Sequence, residues 1–450
     1  MGAGLADWSL RWFPDGFVFA LVALLLVFVA GLLTGSSARE LTEYFGQGFW
    51  SLIPFTMQMA MVIIGGYVVA SSPAISKLIQ RLARMPKDPR SAAAFVAFFS
   101  LFTALISWGL SLIFSGLLAR QVAKNVPETD YRALGAAAYL GTGSVWALGL
   151  SSSATLLMAT PSSMPAALMH ISGTIPLTQT LYLWQNAVLA SVLILSGIVV
   201  TYFSCPLHSE KTAAWYGVAD ESSAPAEERQ TPGEWLEYSP ILSVAVAILG
   251  LSYLVGVLHR RGPLSALDLN TYNLLFLMIG LLLHWRPRAF VRAVAEAVPS
   301  TAGVLLQFPF YGGIFGLVTM SAISNIMAHF FVRISSHQTF PILVALYSAL
   351  LGMLVPSGGS KWIIEAPYVM QAAKDLRVHL GWVVQVYNAA EALPNLVNPF
   401  WMLPLLGILK VKARDLVGFG LLQLMVNSVL VLFLAWLLAF TLPYVPPLSP

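Results

Sequence analysis

Three stretches of this chain are too long and too apolar to belong to a domain folded in water: "GFVFALVALLLVFVAGLLT" (16–34), "LYLWQNAVLASVLILSGIVVTYF" (181–203) and "DLVGFGLLQLMVNSVLVLFLAWLLAFTL" (415–442). A bilayer-spanning helix needs about 20 predominantly apolar residues. The rest of the composition agrees. The chain is 58% hydrophobic and 10% charged, where soluble domains carry about 25% charged residues. The fold class expected is therefore an all-α polytopic membrane protein. The first run is longer than a signal-peptide core and no A-x-A site follows it, so it reads as a retained helix. A single cysteine, Cys205, excludes an internal disulfide and a cysteine-cluster metal site. The histidines show no metal-ligand spacing. The formal net charge of +4 points to basic cytoplasmic loops, not to nucleic acid.

The chain also resembles itself. "MQMAMVIIGGYV" around Gln58 matches "LLQFPFYGGIFGLV" around Gln307, 249 residues later. "AIS" at 74–76 recurs at 322–324, "SWG" at 107–109 faces "SGG" at 357–359, "QVAK" at 121–124 recurs as "QAAK" at 371–374, and Tyr139 faces Tyr387. Five matches in order at nearly one offset argue for a duplicated unit. This divides the chain into a first transmembrane repeat (1–204), a linker (205–238) and a second repeat (239–450). With a cytoplasmic N-terminus, Lys77, Arg81, Arg84, Lys87 and Arg90 fall inside, as do Arg286, Arg288, Arg292, Lys410, Lys412 and Arg414. The segment 161–180, free of Lys and Arg, falls outside. This assignment holds only if hairpins at about 91–124 and about 339–378 each enter and leave on one side. The repeats are then of inverted topology, as in many secondary transporters. The acidic, Pro- and Ser-containing linker reads as a solvated cytoplasmic tether.

Each hairpin breaks at a Ser/Gly tip: Ser107, Trp108 and Gly109 in the first, Ser357, Gly358 and Gly359 in "VPSGGSKWIIEAP" of the second. Irregular backbone at membrane depth persists only where protein or a wet cavity satisfies its polar groups. The helix leaving such a tip offers N–H groups suited to an anion. Each hairpin is followed by a long helix with its own break. In the first this break carries Ser151, Ser152 and Ser153, and in the second Asn395 and Asn398 beside "NPFW". These side chains suit an oxyanion or a small cation, although buried Ser and Asn also stabilise helix contacts. Intramembrane ionisable groups are functional by default, and here they are Lys361, Glu365 and Glu391. Lys361 reads as a substrate-binding cation that offsets the carboxylate, and Glu391 and Glu365 as ion-coupling acids; spaced i,i+4, Lys361 and Glu365 also fit a structural pair. Gln58 and Gln307 fit either ligand contacts or interhelical bonds. The sequence holds no H-E-x-x-H, no paired intramembrane aspartates and no serine-nucleophile motif, so an enzyme is not expected. The reading is a carrier of a small carboxylate. A dicarboxylate is the alternative, with Lys361 available to its second charge.

At "VPSGGSKW", "LLQFPFYGGI" and "NPFWMLP" the chain resembles the short-chain fatty acid transporter family, the acetoacetate/butyrate uptake type within the ion-transporter superfamily. The resemblance extends over "RWFPDGFVFA" (11–20), "GFWSLIPFTMQMAMVI" (48–63), "NTYNLLFLMIGLLLH" (270–284) and "STAGVLLQFPFYGGI" (300–314). It implies a homodimeric symporter of the bacterial inner membrane, with re-entrant hairpins and elevator-type alternating access. It implies no prosthetic group, and a proton or sodium as coupling ion. Glu391 and Asn395 match the family pattern. Lys361 stands where that pattern has an uncharged residue or His, Glu365 where it has Gln, and Ser107 where it has Asn. A fixed ammonium at Lys361 leads to the expectation of weaker sodium dependence, with Glu391 as the titrating group.

Overall fold

The computed structural model describes residues 16–218, 231, 233–262, 266–354, 357–398 and 400–447. Among them every regular element is helical. Among the described residues, seven helices are long and apolar enough to cross a membrane, from Ile53–Ala70 to Ala413–Ala439. Those least covered by protein, Trp184–Ser204 and Pro240–Arg261, hold Leu195, Phe203, Leu249 and Val255 outward. Such an all-round apolar helix is stable only against lipid.

The duplication is visible as a repeated order of elements. Ile53–Ala70 and Pro73–Leu82 precede a hairpin made of Pro89–Ile106 and Trp108–Asn125. A broken helix over 131–159 and the long helix Trp184–Ser204 follow. In the second half, Ala302–Met320 and Ile323–Ile334 precede the hairpin Phe340–Leu354 and Gly358–Asp375, then a broken helix over 380–409 and the long helix Ala413–Ala439. Local chemistry sets the boundaries. Asp88 and Ser91 form a capping box with Pro89 at the first turn, which starts the first hairpin two residues before its expected edge.

Small residues let the remaining helices cross closely. A Cβ at Gly48 of Ala38–Phe49 would lie 2.8 Å from the Cα of Gly316 on Ala302–Met320. The G-x-x-x-G pair Gly312 and Gly316 thus works as a backbone-to-backbone seat.

The linker departs in part from the simple tether expected. Its first residues dock onto the start of the first broken helix. Ser209 donates to buried Asp130 at 2.7 Å, the Lys211 carbonyl accepts the Tyr131 N–H at 2.8 Å, and Tyr216 packs on Tyr131. The aromatic pair Trp215–Tyr216 gives this stretch apolar surface to bury, which its acidic continuation lacks. Residues 219–230 lie outside the described residues.

Candidate functional site

The first hairpin tip is one residue long. Ser107 leaves the helical region (φ −158°, ψ 124°) and its hydroxyl accepts the Leu110 N–H at 3.3 Å. Ser151 Oγ accepts the Trp108 N–H at 2.9 Å, and Tyr272 donates to the Ile106 carbonyl at 3.3 Å. Gly66 provides the seat, since a Cβ there would lie 2.7 Å from Leu110 N. Ser107, Gly109 and Ser151 are therefore parts of the mount. What the mount presents is the Trp108 ring.

The first broken helix runs α over Tyr131–Leu140, turns π over Gly141–Val145 and 3₁₀ over Trp146–Leu148, then restarts at Ser153. The π turn has an identifiable wedge. Ser100 Oγ, from the first hairpin, donates to the Ala138 carbonyl at 2.7 Å and accepts the Gly141 N–H at 2.9 Å. A hydroxyl inserted into the ladder is a known cause of such irregularity. Ser152 caps the restarting helix through Thr155, with the two hydroxyls 3.0 Å apart. Thr155 in turn bonds Gln385 (3.0 Å) and Asn388 (2.8 Å) of the second broken helix. Ser152 thus belongs to a buried latch between the repeats.

At the second tip, Ser357 provides no side-chain cap for Gly358–Asp375, and its hydroxyl donates to Ser360 at 3.0 Å. Val355 and Pro356 of the tip motif lie outside the described residues. Behind this tip sits a charged cluster. Lys361, with 0% exposure, is ion-paired to Glu391, lies 3.7 Å from Glu365 and donates to the Ser348 carbonyl. Ser348 Oγ donates to Glu365 at 2.6 Å. The Tyr387 ring lies 5.0 Å from the ammonium, and its hydroxyl donates to the Gly358 carbonyl at 2.5 Å. The i,i+4 pairing of Lys361 and Glu365 is present, but the closer partner is Glu391, 30 residues along the chain.

Both tips and both breaks meet at one partly open cavity of about 30 Å³. Trp108, Ser153, Ser357, Gly358, Gly359 and Asn395, all singled out in the sequence, line it. So do Thr142, Trp146 and Trp401 from the breaks, and Met59, Val304 and Phe308 from the flanking helices, none of which the sequence reading singled out. The indoles enclose it, with Trp108 5.5 Å from Trp401 and 6.3 Å from Trp146. Trp108 Nε1, Trp146 Nε1, Thr142 Oγ1 and Asn395 Oδ1 are buried there without a hydrogen-bond partner among the described residues.

The other candidates lie elsewhere. Gln58 donates to Asn270 at 2.7 Å and accepts from Ser163 at 2.6 Å, which makes it an interhelical tie. Gln307 is buried beside Tyr311, whose hydroxyl it accepts at 3.4 Å. Asn398 sits half-buried at the second break. Lys361, Glu365 and Glu391 are packed behind the tip and do not line the cavity. No group of three or more His, Cys, Asp or Glu suited to a metal occurs among the described residues.

The profile of the short chain fatty acid transporter family matches residues 1–438. A protein of Escherichia coli K12, named provisionally a short-chain fatty acid transporter, is 36% identical over 424 residues, 93% of this chain and 95% of its own. One from Haemophilus influenzae Rd with the same provisional name is 33% identical over 421 residues, 91% and 93% of the two chains. The YdaH transporter of Alcanivorax borkumensis, described as having an unusual topology, superposes with a TM-score of 0.63 at 16% identity, covering 96% of this chain and all of that one. MtrF of Neisseria gonorrhoeae, described as illuminating a class of antimetabolite efflux pumps, gives 0.63 at 14% identity with both chains fully covered. At these identities the two structures speak to fold alone.

Proposed function

The chain belongs to the short-chain fatty acid transporter family, and from that premise we propose that it is an ion-coupled secondary carrier of short monocarboxylates such as butyrate or acetoacetate. The observation that carries this reading is the donor set of the cavity. Trp108, Trp146 and Thr142, which line a cavity whose other walls are largely aromatic and aliphatic, each carry a buried donor without a partner among the described residues. A buried donor left unmade costs about 1–3 kcal/mol, so such a set is built for an acceptor that arrives from outside. A carboxylate supplies acceptor oxygens, and a short acyl chain fills the space between the indoles. The uncapped start of Gly358–Asp375 adds N–H groups and the positive end of a helix dipole.

No Lys, Arg or His is among the described residues lining the cavity. Lys361, the one cation nearby, is held by two glutamates and a carbonyl. This favours one carboxylate over two. A monocarboxylate anion moving against a negative-inside potential meets about 2.3 kcal/mol per 100 mV, which a co-transported cation removes. Alternating access of the elevator type, with both hairpins re-entrant from opposite sides of a bacterial inner membrane and the N-terminus in the cytoplasm, completes the proposal.

The test is counterflow in proteoliposomes loaded with C2–C6 monocarboxylates or C4 dicarboxylates. Labelled butyrate should accumulate against butyrate and not against succinate. Trp146→Phe, which removes one donor and keeps the ring, should raise the KM about ten-fold, the value of a hydrogen bond to a charged group. Equal exchange of succinate would return the reading to a dicarboxylate carrier.

A further inference from the structure

The cluster behind the second tip has the make-up of an alkali-cation site whose cation is part of the chain. Its oxygens come from Glu391, Glu365 and the Ser348 carbonyl, and the Lys361 ammonium lies among them. Tyr387 presents its ring to the same ammonium. Gly352 makes room, since a Cβ there would lie 3.1 Å from both Lys361 Nζ and Glu391 Oε2. Lys361 and Glu365 are 0% exposed and Glu391 is 1% exposed. Two carboxylates and one ammonium leave an excess negative charge, and an uncompensated charge at this burial is costly.

Every element packed around the cluster bears on that balance. Gly358–Asp375 gives Lys361, Glu365 and Tyr368; Phe340–Leu354 gives Tyr347, which bonds Tyr368 at 2.9 Å; and Leu380–Asn395 gives Glu391 and Tyr387. Ala302–Met320 brings Tyr311 within electrostatic reach of Glu391. Ile323–Ile334, whose Phe331 packs on Tyr347 and Tyr368, and Ala166–Ser172 also pack on Gly358–Asp375, but their ionisable groups, His329, Arg333 and His170, are exposed and face away from the cluster, and the π and 3₁₀ segments 141–148 bring none. Ala413–Ala439, packed behind, carries its only charges, Arg414 and Asp415, in its first turn. No second fixed cation is therefore at hand among the described residues.

We propose that the Lys361–Glu365–Glu391 cluster is the coupling site of the carrier, that it carries one proton shared between the two carboxylates, and that Lys361 takes the place a sodium ion would otherwise occupy. This rests on the monocarboxylate reading above and names its coupling ion. The proton enters on a carboxylate oxygen from one side and leaves to water on the other, so that anion and proton cross together as a neutral load. The cluster senses the substrate through one layer of backbone. Tyr387 bonds the Gly358 carbonyl at the cavity wall, and Asn395, one turn beyond Glu391, lines the same cavity.

Linkage makes this measurable, because proton and substrate then change each other's affinity by a common factor, typically about 5–150-fold. The experiment is butyrate binding to the purified protein, read from tryptophan fluorescence in choline and in sodium buffers between pH 6 and 8, where a free carboxylate stays ionised. In the unmodified protein the Kd should tighten about ten-fold from pH 8 to pH 6 and be the same in both buffers. Glu391→Gln and Glu365→Gln should each flatten that pH profile. Lys361→Gln, which frees the cation position, should gain a saturable sodium dependence. Should that variant not fold, the two glutamine variants retain the decisive readout. Saturable tightening by sodium in the unmodified protein, or the same pH profile in all three variants, overturns the proposal. Absence of butyrate binding at every pH would instead overturn the monocarboxylate reading on which it rests.

Discussion

The two hairpin tips occupy equivalent places in the duplicated chain, yet they are finished differently. At the first, three hydroxyls serve the backbone: Ser107 caps Leu110, Ser151 takes the Trp108 N–H, and Tyr272 reaches the Ile106 carbonyl. At the second, Ser357 leaves the helix start uncapped and an ion cluster lies directly behind it. Duplication supplied two copies of one device. One is a mount for an indole, and the other leaves its helix start without a side-chain cap. On the reading proposed above, the backbone groups left uncapped at the second tip are those a ligand would use.

The largest effect that would sharpen this contrast comes from the paired glycines. A Cβ at Gly359 would lie 2.9 Å from Phe55 Cζ and 3.0 Å from Ser153 Cβ, while one at Gly109 meets nothing nearer than the Ile63 carbonyl at 3.5 Å. Gly359→Ala should cost about 1–3 kcal/mol in crowding and abolish measurable counterflow. Gly109→Ala should leave counterflow within about two-fold, since alanine improves helix propensity by up to about 1 kcal/mol. Equal loss in both variants would break the comparison.

A middle-sized effect separates stability from transport. Ser151→Ala strands the buried Trp108 N–H and should destabilise by about 1–3 kcal/mol, read as a lowered Tm in detergent. Ser357→Ala removes only a bond to Ser360 and should shift Tm little. If Ser357→Ala proved the more destabilising, the second tip would be structurally sealed in a way its uncapped start does not suggest.

The smallest effect concerns the caps of the two broken helices. His379 Nδ1 accepts the Trp382 N–H at 3.0 Å in the second, where the first uses Asp130. Burial opposes ionisation of Asp130, but Arg132 and Ser209 outweigh it, and its carboxyl titrates below the ordinary value. A depressed carboxyl contributes stability above its unfolded pKa of about 3.9 and loses it as pH falls through the folded value. Asp130→Asn should therefore lower Tm at pH 7 modestly, and the difference from the unmodified protein should close below about pH 4. A gap unchanged across that range would assign Asp130 a purely geometric role.

Much of the architecture was legible because membrane physics writes it in long runs. The expected hairpins at 91–124 and 339–378 lie within two or three residues of Pro89–Asn125 and Phe340–Asp375. Both breaks fall where Ser and Asn-Pro interrupt apolar sequence. The cavity was half legible. Glycines and serines at tips advertise irregular backbone, so Ser357, Gly358, Gly359 and Ser153 could be read. Trp146, Trp401 and Phe308 look like any other apolar residue in such a chain, and only the packing shows which ring faces a void. The i,i+4 rule found Lys361 with Glu365 but not the closer Glu391, because that pairing is tertiary. Ser107 and Ser151 carried the right residue type for a ligand, and the backbone claimed them first.

The wedge of Ser100 into the first broken helix has a reach beyond its own bonds. One hydroxyl, outside the cavity, keeps a stretch of helix out of α register. Were that stretch to return to α, every residue past it would rotate by about 100° per position of slippage, and Trp146 would swing off the cavity wall. The shape of the cavity wall is thus set in part by a residue outside the cavity. A change at position 100 or its neighbours in the hairpin should therefore reshape the cavity as much as a change among the rings that line it.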